Sequence, residues 1–278
     1  MNLAFLGLGR MGHAIAANLI KAADLVGQGA RLARSPREAA DGCELVLSML
    51  ADDAALRAVT EGEDGLLAGL AAGAVHVSMS TIAVATAKAL AERHAAQGQG
   101  FVCAPVFGRP DAAAAGKLFV IAAGAPDARD KARPALESVG QKLFEIGDEP
   151  AQANLIKLCG NFAILAAVEA MGEAAALAQK GGVSKAALLE ILTGTLFDAP
   201  VYRTYGAILA KDAYTPAGFA APLGLKDMRL AAEAAEASRT PMPLLSLLRD
   251  RLLETIAKDG EDVDWSAIAR TSARNAGL

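Results

Sequence analysis

Two groups of residues in this sequence have types and spacings that could do chemistry. The first is Lys157 with Asn161, in the run Asn154-Leu155-Ile156-Lys157-Leu158-Cys159-Gly160-Asn161. Four apart on a helix, their side chains share one face. Ile156, Leu158 and Phe162 around them are apolar, so the helix is expected to be largely buried. Desolvation there would lower the lysine pKa, which suits a residue passing a proton to or from a substrate oxygen. The asparagine can hold the same oxygen or orient the lysine head. Taken alone, the pair reads more readily as a solvated helix face than as a catalytic one. The second group is Gly7-Leu8-Gly9-Arg10-Met11-Gly12, preceded by the apolar Leu3-Ala4-Phe5-Leu6 and followed by a helical pattern over Arg10–Ala23. Strand, Gly-x-Gly-x-x-Gly turn and helix start together are the dinucleotide-binding fingerprint. The first glycine allows the tight turn, the second admits the pyrophosphate against backbone, and the third lets helix and strand pack closely. The helix N-terminus offers N–H groups and a partial positive charge to phosphates. The same spacing also fits a plain tight turn.

The elements that must position these residues fall into two halves. Short apolar runs at Leu3–Leu6, Ala30–Ala33, Leu45–Met49, Val75–Ser78, Phe101–Ala104, Leu118–Ala122 and Lys142–Ile146 read as strands. Helical patterns such as Ile82–Gln97 and Asp127–Val139 lie between them. Such alternation predicts an α/β fold, a Rossmann-type doubly wound sheet. From Pro150 onward the pattern is helical throughout. Gln152–Lys180 reads as one helix, roughly 45 Å long, stopped by Gly181-Gly182. Ser184 is placed to cap Lys185–Leu192. Further helices are expected at Pro200–Leu209, Leu223–Ala237, Leu244–Lys258 and Ser266–Ala273. The boundary falls near Asp148-Glu149-Pro150, giving a dinucleotide-binding domain over 1–148 and an all-helical substrate and dimerisation domain over 149–278.

Composition narrows the function classes. The 278 residues are 53% hydrophobic, 4% aromatic and 21% charged, which describes a helical protein with cores of small residues. A net charge of −4 without a basic stripe argues against nucleic acid as a partner. Phe162–Ala178 is the most apolar stretch, but Glu169 and Glu173 interrupt it, so a buried helix is expected and no membrane span. Cys43, Cys103 and Cys159 lie far apart, and His13, His76 and His94 follow no metal-ligand spacing, so no metal is expected. The N-terminus opens on a strand and a motif, which leaves no room for a signal peptide and predicts a cytoplasmic protein. A long helix apolar on nearly every face needs partners all round, which predicts a homodimer or homotetramer.

Taken in order along the chain, these motifs resemble the β-hydroxyacid dehydrogenase family, which includes 3-hydroxyisobutyrate dehydrogenases and glyoxylate/succinic semialdehyde reductases. The resemblance runs essentially end to end. It rests on Phe5 to Gly12 with Ala17-Asn18-Leu19, on Ser35-Pro36 with Glu38-Ala39-Ala40, and on Met49-Leu50-Ala51-Asp52-Asp53. It continues through Met79-Ser80-Thr81, Ala104-Pro105-Val106, Lys157 with Asn161, and Phe219 followed by Leu223 and Lys226-Asp227. It implies an active site between a nucleotide-binding and a helical domain, with Lys157 as acid/base and Asn161 beside it. Met49 and Leu50 would line the cofactor, Thr81 would lie near the nicotinamide, and Lys226 would reach it from the helical domain.

Two departures from the family pattern stand out. Members usually continue Ala-Pro-Val with Ser-Gly-Gly, which holds a substrate carboxylate; here the run is Phe107-Gly108-Arg109-Pro110. Either the loop has drifted, or the pocket is reshaped for a bulkier or less polar carbonyl compound, with Arg109 taking over the carboxylate. Members also follow the first helix with a second strand and an Asn-Arg-Ser/Thr-like turn. Here Lys21-Ala22-Ala23 leads almost directly to Gly29-Ala30-Arg31-Leu32-Ala33-Arg34-Ser35-Pro36. Family register makes Ala30–Ala33 a displaced third strand. Chain length, about the thirty residues of a βαβ unit, makes it the second, and unpaired backbone beside the first strand favours that choice. Arg34-Ser35 would then stand near the ribose. With no acid between Val26 and Ser35, an arginine there favours the 2′-phosphate and NADP(H), NAD remaining possible.

The sequence thus predicts hydride transfer between NADP(H) and a small-molecule β-hydroxy acid or carbonyl substrate. The alternatives are an imine reductase-like enzyme and a catalytically weak cofactor-binding or scaffold paralogue. Related imine reductases commonly replace the lysine, so Lys157 favours carbonyl chemistry.

Overall fold

Four short apolar strands pair in parallel to start the sheet. In a computed structural model describing residues 2–20 and 29–278, β1 (Leu3–Leu6), β2 (Leu45–Ser48), β3 (Val75–Ser78) and β4 (Gly100–Cys103) lie side by side in that order. Leu3 sits opposite Leu45, Leu45 opposite Val75, and Val75 opposite Gly100. β2 and β3 are buried at every position, as strands covered on both faces must be. After Ala104-Pro105 the chain forms β5 (Val106–Phe107), a short strand that the sequence did not announce. β6 (Leu118–Ala123) then runs antiparallel to β4 and β5, and β7 (Gly140–Gly147) pairs parallel with its opposite edge. The sheet is therefore mixed, whereas sequence alternation alone gave no sign of the reversal at β6.

Helices α1 (Arg10–Ile20), α2 (Pro36–Ala40), α3 (Asp53–Thr60), α4 (Leu66–Gly69), α5 (Val84–Ala95), α6 (Pro110–Ala114) and α7 (Pro126–Val139) connect these strands. Strand side chains alternate between two cores, as a period of two requires. Val102, Val120 and Ala122 join Ile15, Leu47, Val77 and Leu136 in one. Phe101, Cys103, Ile121 and Ala123 join Leu56, Ile82 and Leu90 in the other.

The expected strand at Ala30–Ala33 is not formed. Gly29 to Ser35 carries no strand, and among the described residues β1 pairs with β2 alone. Side chains decide this local outcome. The Ser35 hydroxyl accepts the Glu38 N–H at 3.1 Å and Pro36 opens α2, a cap-and-proline helix start. The Glu38 carboxylate reaches back to accept the Arg34 backbone N–H at 2.8 Å and its Nε at 3.1 Å, with Arg31 at 3.3 Å. The run therefore enters a helix and does not join a ladder. The end of the first helical pattern, past Ile20, lies outside the described residues.

The C-terminal half is helical, with α8 (Ala151–Lys180), α9 (Lys185–Thr193), α10 (Pro200–Lys211), α11 (Ala221–Ala237), α12 (Pro243–Asp259), a 3-10 turn at Trp265–Ala267 and α13 (Ile268–Asn275). Ser184 caps α9 by accepting the Ala187 N–H. Two compact units result, Met1–Lys157 and Leu158–Leu278. Within the second, Trp265 is buried, gives its indole N–H to Tyr205 at 3.0 Å and meets the Phe219 ring edge-on. α11 carries glycine where it passes this ring: a Cβ on Gly224 would come 2.9 Å from Trp265. On α8, buried Glu169 accepts from Arg251 of α12 at 2.7 Å.

Candidate active site

The carboxyl ends of β1, β2 and β3 gather the residues of the glycine turn. Gly7 takes φ +91°, and a Cβ on it would lie 2.2 Å from the Met49 carbonyl oxygen and 2.8 Å from Leu50 Cδ2. A Cβ on Gly12 would lie 1.8 Å from the Gly7 carbonyl oxygen. Both glycines are thus required by the fold. At Gly9 a Cβ would meet nothing within 4 Å, so the second glycine borders open space. Leu8, Gly9 and Arg10 are exposed, while Met11 packs into the core below. α1 begins at Arg10 with no acidic side chain in its first turn, so none of its own carboxylates compete there for an anion. These residues fit a dinucleotide pyrophosphate.

Met49 and Leu50 follow β2 directly, and Leu50 donates its N–H to buried Ser80 Oγ at 2.8 Å. That bond ties the loop after β2 to the loop after β3, where Thr81 is half-buried. One residue further, Ile82 donates its N–H to Asn154 Oδ1 of α8 at 3.0 Å. Asn154 precedes Lys157 by three residues and so shares its helix face. From there the Lys157 ammonium reaches over the Phe107 ring of β5, 4.3 Å from its centroid. Cys103 is also buried here, and burial pushes its thiol up to about 12, which leaves it inert as a nucleophile.

Asn161 lies one turn beyond Lys157 on the same continuous helix. Within the second unit its Nδ2 donates to Asp227 Oδ2 at 2.5 Å, and both side chains are buried. Lys226 Nζ stands 3.0 Å from Asp227 Oδ1. Asp227 was not among the expected site residues; the sequence named it only beside Lys226, in the run that carries the family resemblance. Its position eight residues after the Trp265-packed Phe219 gave no sign of contact with α8.

The remaining expected site residues are distributed as follows. Gly108 and Arg109 follow Phe107 into α6, with Arg109 at its N-cap position. Arg34 and Ser35 stand at the entry to α2, where Ser35 serves as a cap. Arg34 holds Glu38, and these bonds keep the Glu38 carboxyl below its ordinary range. Glu38 lies three residues past the window between Val26 and Ser35, and its carboxylate is taken up by Arg31 and Arg34.

Comparison with known proteins follows the two halves. Residues 21–147 match the NAD binding domain of 6-phosphogluconate dehydrogenase, and residues 151–272 match the NAD-binding domain of NADP-dependent 3-hydroxyisobutyrate dehydrogenase. The chain is 42% identical to the uncharacterized oxidoreductase YfjR of Bacillus subtilis, over 97% of this chain and 99% of that one. It is 34% identical to a 3-hydroxyisobutyrate dehydrogenase of Pseudomonas aeruginosa, over 97% of each. The chain belongs to the β-hydroxyacid dehydrogenase family. Its fold agrees with that membership: a 3-hydroxyisobutyrate dehydrogenase of Mycobacterium tuberculosis, solved with L-serine, superposes with a TM-score of 0.86 at 29% identity, covering 97% of this chain and 98% of that one. As a β-hydroxyacid dehydrogenase family member it is an NAD(P)-dependent oxidoreductase with a Rossmann-like domain and a helical C-terminal domain.

Proposed function

We propose that this family member transfers a hydride reversibly between NADP(H) and a small β-hydroxy acid, semialdehyde or related carbonyl compound. The observation that carries the reading is Lys157 and Asn161 on one face of α8, with the Asn161 amide fixed by Asp227. When bound, the nicotinamide cofactor supplies or takes up the hydride. The chain's own residues orient the reactants and move the proton. Lys157 gives its proton to the carbonyl oxygen during reduction and recovers it from the hydroxyl during oxidation. Asn161 holds that oxygen, and its bond to Asp227 keeps the amide from rotating away. Lys226 stands beside the same carboxylate and extends towards the cofactor.

The Gly7–Gly12 turn, with Leu8, Gly9, Arg10 and Met11, holds the pyrophosphate, Met49 and Leu50 line the cofactor, and Thr81 faces the nicotinamide. Arg34 and Ser35 serve the adenosine end. Two guanidiniums, Arg31 and Arg34, meet one carboxylate at Glu38, and that excess positive charge supports a preference for the 2′-phosphate. Phe107, Gly108 and Arg109 form the substrate side, with a ring in place of the family's hydroxyl and Arg109 as carboxylate partner.

Titration with NADPH and with NADH, followed by nicotinamide fluorescence, tests the cofactor reading: NADPH is expected to bind more tightly. Lys157→Ala is expected to lose turnover by roughly two to four orders of magnitude while binding cofactor as before. No binding at millimolar cofactor, or unimpaired turnover in Lys157→Ala, would refute it.

A further inference from the structure

We infer that Phe107 is a positioning residue for Lys157, its ring face holding the ammonium where the family pattern has a hydroxyl for the substrate. The inference rests on the reading of Lys157 as proton donor and acceptor. Its ground is geometric. The ammonium lies 4.3 Å from the ring centroid, well inside the distance at which an aromatic quadrupole attracts a cation.

Both partners are held by backbone. Phe107 sits in β5, in antiparallel register with Phe119 of β6, and its side chain packs on the cluster of Leu56, Ile82, Leu90 and Phe101. Gly108 then leaves the strand at φ +142°, and a Cβ on it would lie 2.6 Å from Leu118 Cδ2. The ring is therefore fixed by a strand and a glycine corner. On the other side, the Asn154 bond to the Ile82 N–H anchors α8 one turn before Lys157. A lysine stem has four rotatable carbons, and the ring face selects among its conformers the one that ends over β5.

The consequence is chemical. The helix expected to be largely buried here is not: Lys157 is half-buried, with Leu155, Ile156 and Cys159 exposed beside it, and at such a site a π-face favours the ammonium over the amine. Lys157 then keeps its proton for delivery to a carbonyl oxygen. A ring also cannot donate a hydrogen bond, so Phe107 serves the reaction through the lysine and leaves carboxylate recognition to other groups.

The test needs no substrate. Trace acetylation of the whole protein with acetic anhydride, with the Lys157 peptide quantified by mass spectrometry across pH, gives the titration curve of this lysine. Phe107→Leu keeps the apolar bulk and removes the π-face; its curve is expected to move to lower pH by roughly half a unit to one and a half units. Phe107→Tyr is expected to stay at the wild-type midpoint, and Phe107→Met stands in should the leucine variant fail to fold. Coincident wild-type and Phe107→Leu curves would overturn the inference, as would a tyrosine variant that moves with the leucine one. Wild-type turnover of succinic semialdehyde with NADPH by Lys157→Ala would instead overturn the catalytic role of the lysine, whatever the titration curves show.

Discussion

At the scale of single residues, the three glycines of the first turn share a spacing but not a function. Gly7 and Gly12 are fixed by collisions: a methyl on Gly12 would penetrate the Gly7 carbonyl, and one on Gly7 the Met49 carbonyl. Gly9 faces open space. Gly12→Ala is therefore expected to destabilise the N-terminal unit by roughly 1–3 kcal/mol, the usual cost of overpacking, seen as a lower midpoint in urea. Gly9→Ala is expected to leave that midpoint unchanged and to weaken NADPH binding at least tenfold, because its methyl occupies the space where the pyrophosphate meets backbone. Equal loss of stability in both variants would contradict this division. The spacing of Gly7, Gly9 and Gly12 was legible because it is local. Contacts between Phe107 and Lys157, fifty residues apart, and between Asn161 and Asp227 were not, since no periodicity connects one element to a distant one.

At the scale of elements, apolar runs bounded by glycine and proline marked nearly every strand of the sheet, and Ser184 and Gly181-Gly182 marked helix ends, because each signal lies within one element. The run at Ala30–Ala33 misled for the same reason: its alternation resembles a strand, while the deciding contacts come from Ser35 and Glu38 outside it. Nor did the sequence reveal the use of two of its three histidines. Gln99 gives its amide hydrogens to the Leu67 and Leu70 carbonyls at 3.0 and 2.7 Å, so its oxygen accepts from His94 Nδ1 at 2.8 Å. His94 Nε2 must then accept from His76 Nδ1 at 3.1 Å, and His76 Nε2 from the Ser48 hydroxyl at 2.9 Å. This chain of bonds joins β2, β3 and α5 with both rings neutral. Burial holds His76 well below its ordinary range and His94 at about 4. Since the unfolded chain takes up these protons near pH 6.5 and the folded one only at lower pH, stability is complete above pH 6.5. It falls as pH drops through the window between 6.5 and about 4. For His94 alone the loss is roughly 3 kcal/mol. Urea midpoints are expected to fall steeply between pH 7.5 and 5 in the wild type and less steeply in His94→Gln. Parallel slopes in the two proteins would count against a neutral buried pair.

At the scale of the whole molecule, the C-terminal unit presents apolar side chains that its own helices do not cover. On α8, Glu169 and Gly172 face inward, one bonded to Arg251 and the other against Ala269, where a Cβ would lie 2.7 Å from the Ala269 Cα. Ala163, Ala170 and Leu177, spaced by sevens, form an exposed stripe on the same helix. Leu177 is 77% exposed, Ile191 of α9 62% and Leu196 beyond it 95%. Burying a leucine or isoleucine side chain gains about 1.5–3 kcal/mol, so a partner that covered these three would gain several times that. α8 is long and apolar enough to cross a membrane by length and composition, but the inward Glu169–Arg251 pair makes it the packed helix of a bundle, with one face left over. A second copy of the chain carries the same stripe and fits a self-complementary contact. Light scattering after gel filtration is therefore expected to give a multiple of the 28.4 kDa chain mass. Leu177→Glu combined with Ile191→Glu is expected to bring it down towards that mass, because both charges would be buried unpaired. A wild-type protein that runs at a single chain mass at micromolar concentration would show that the stripe serves another purpose.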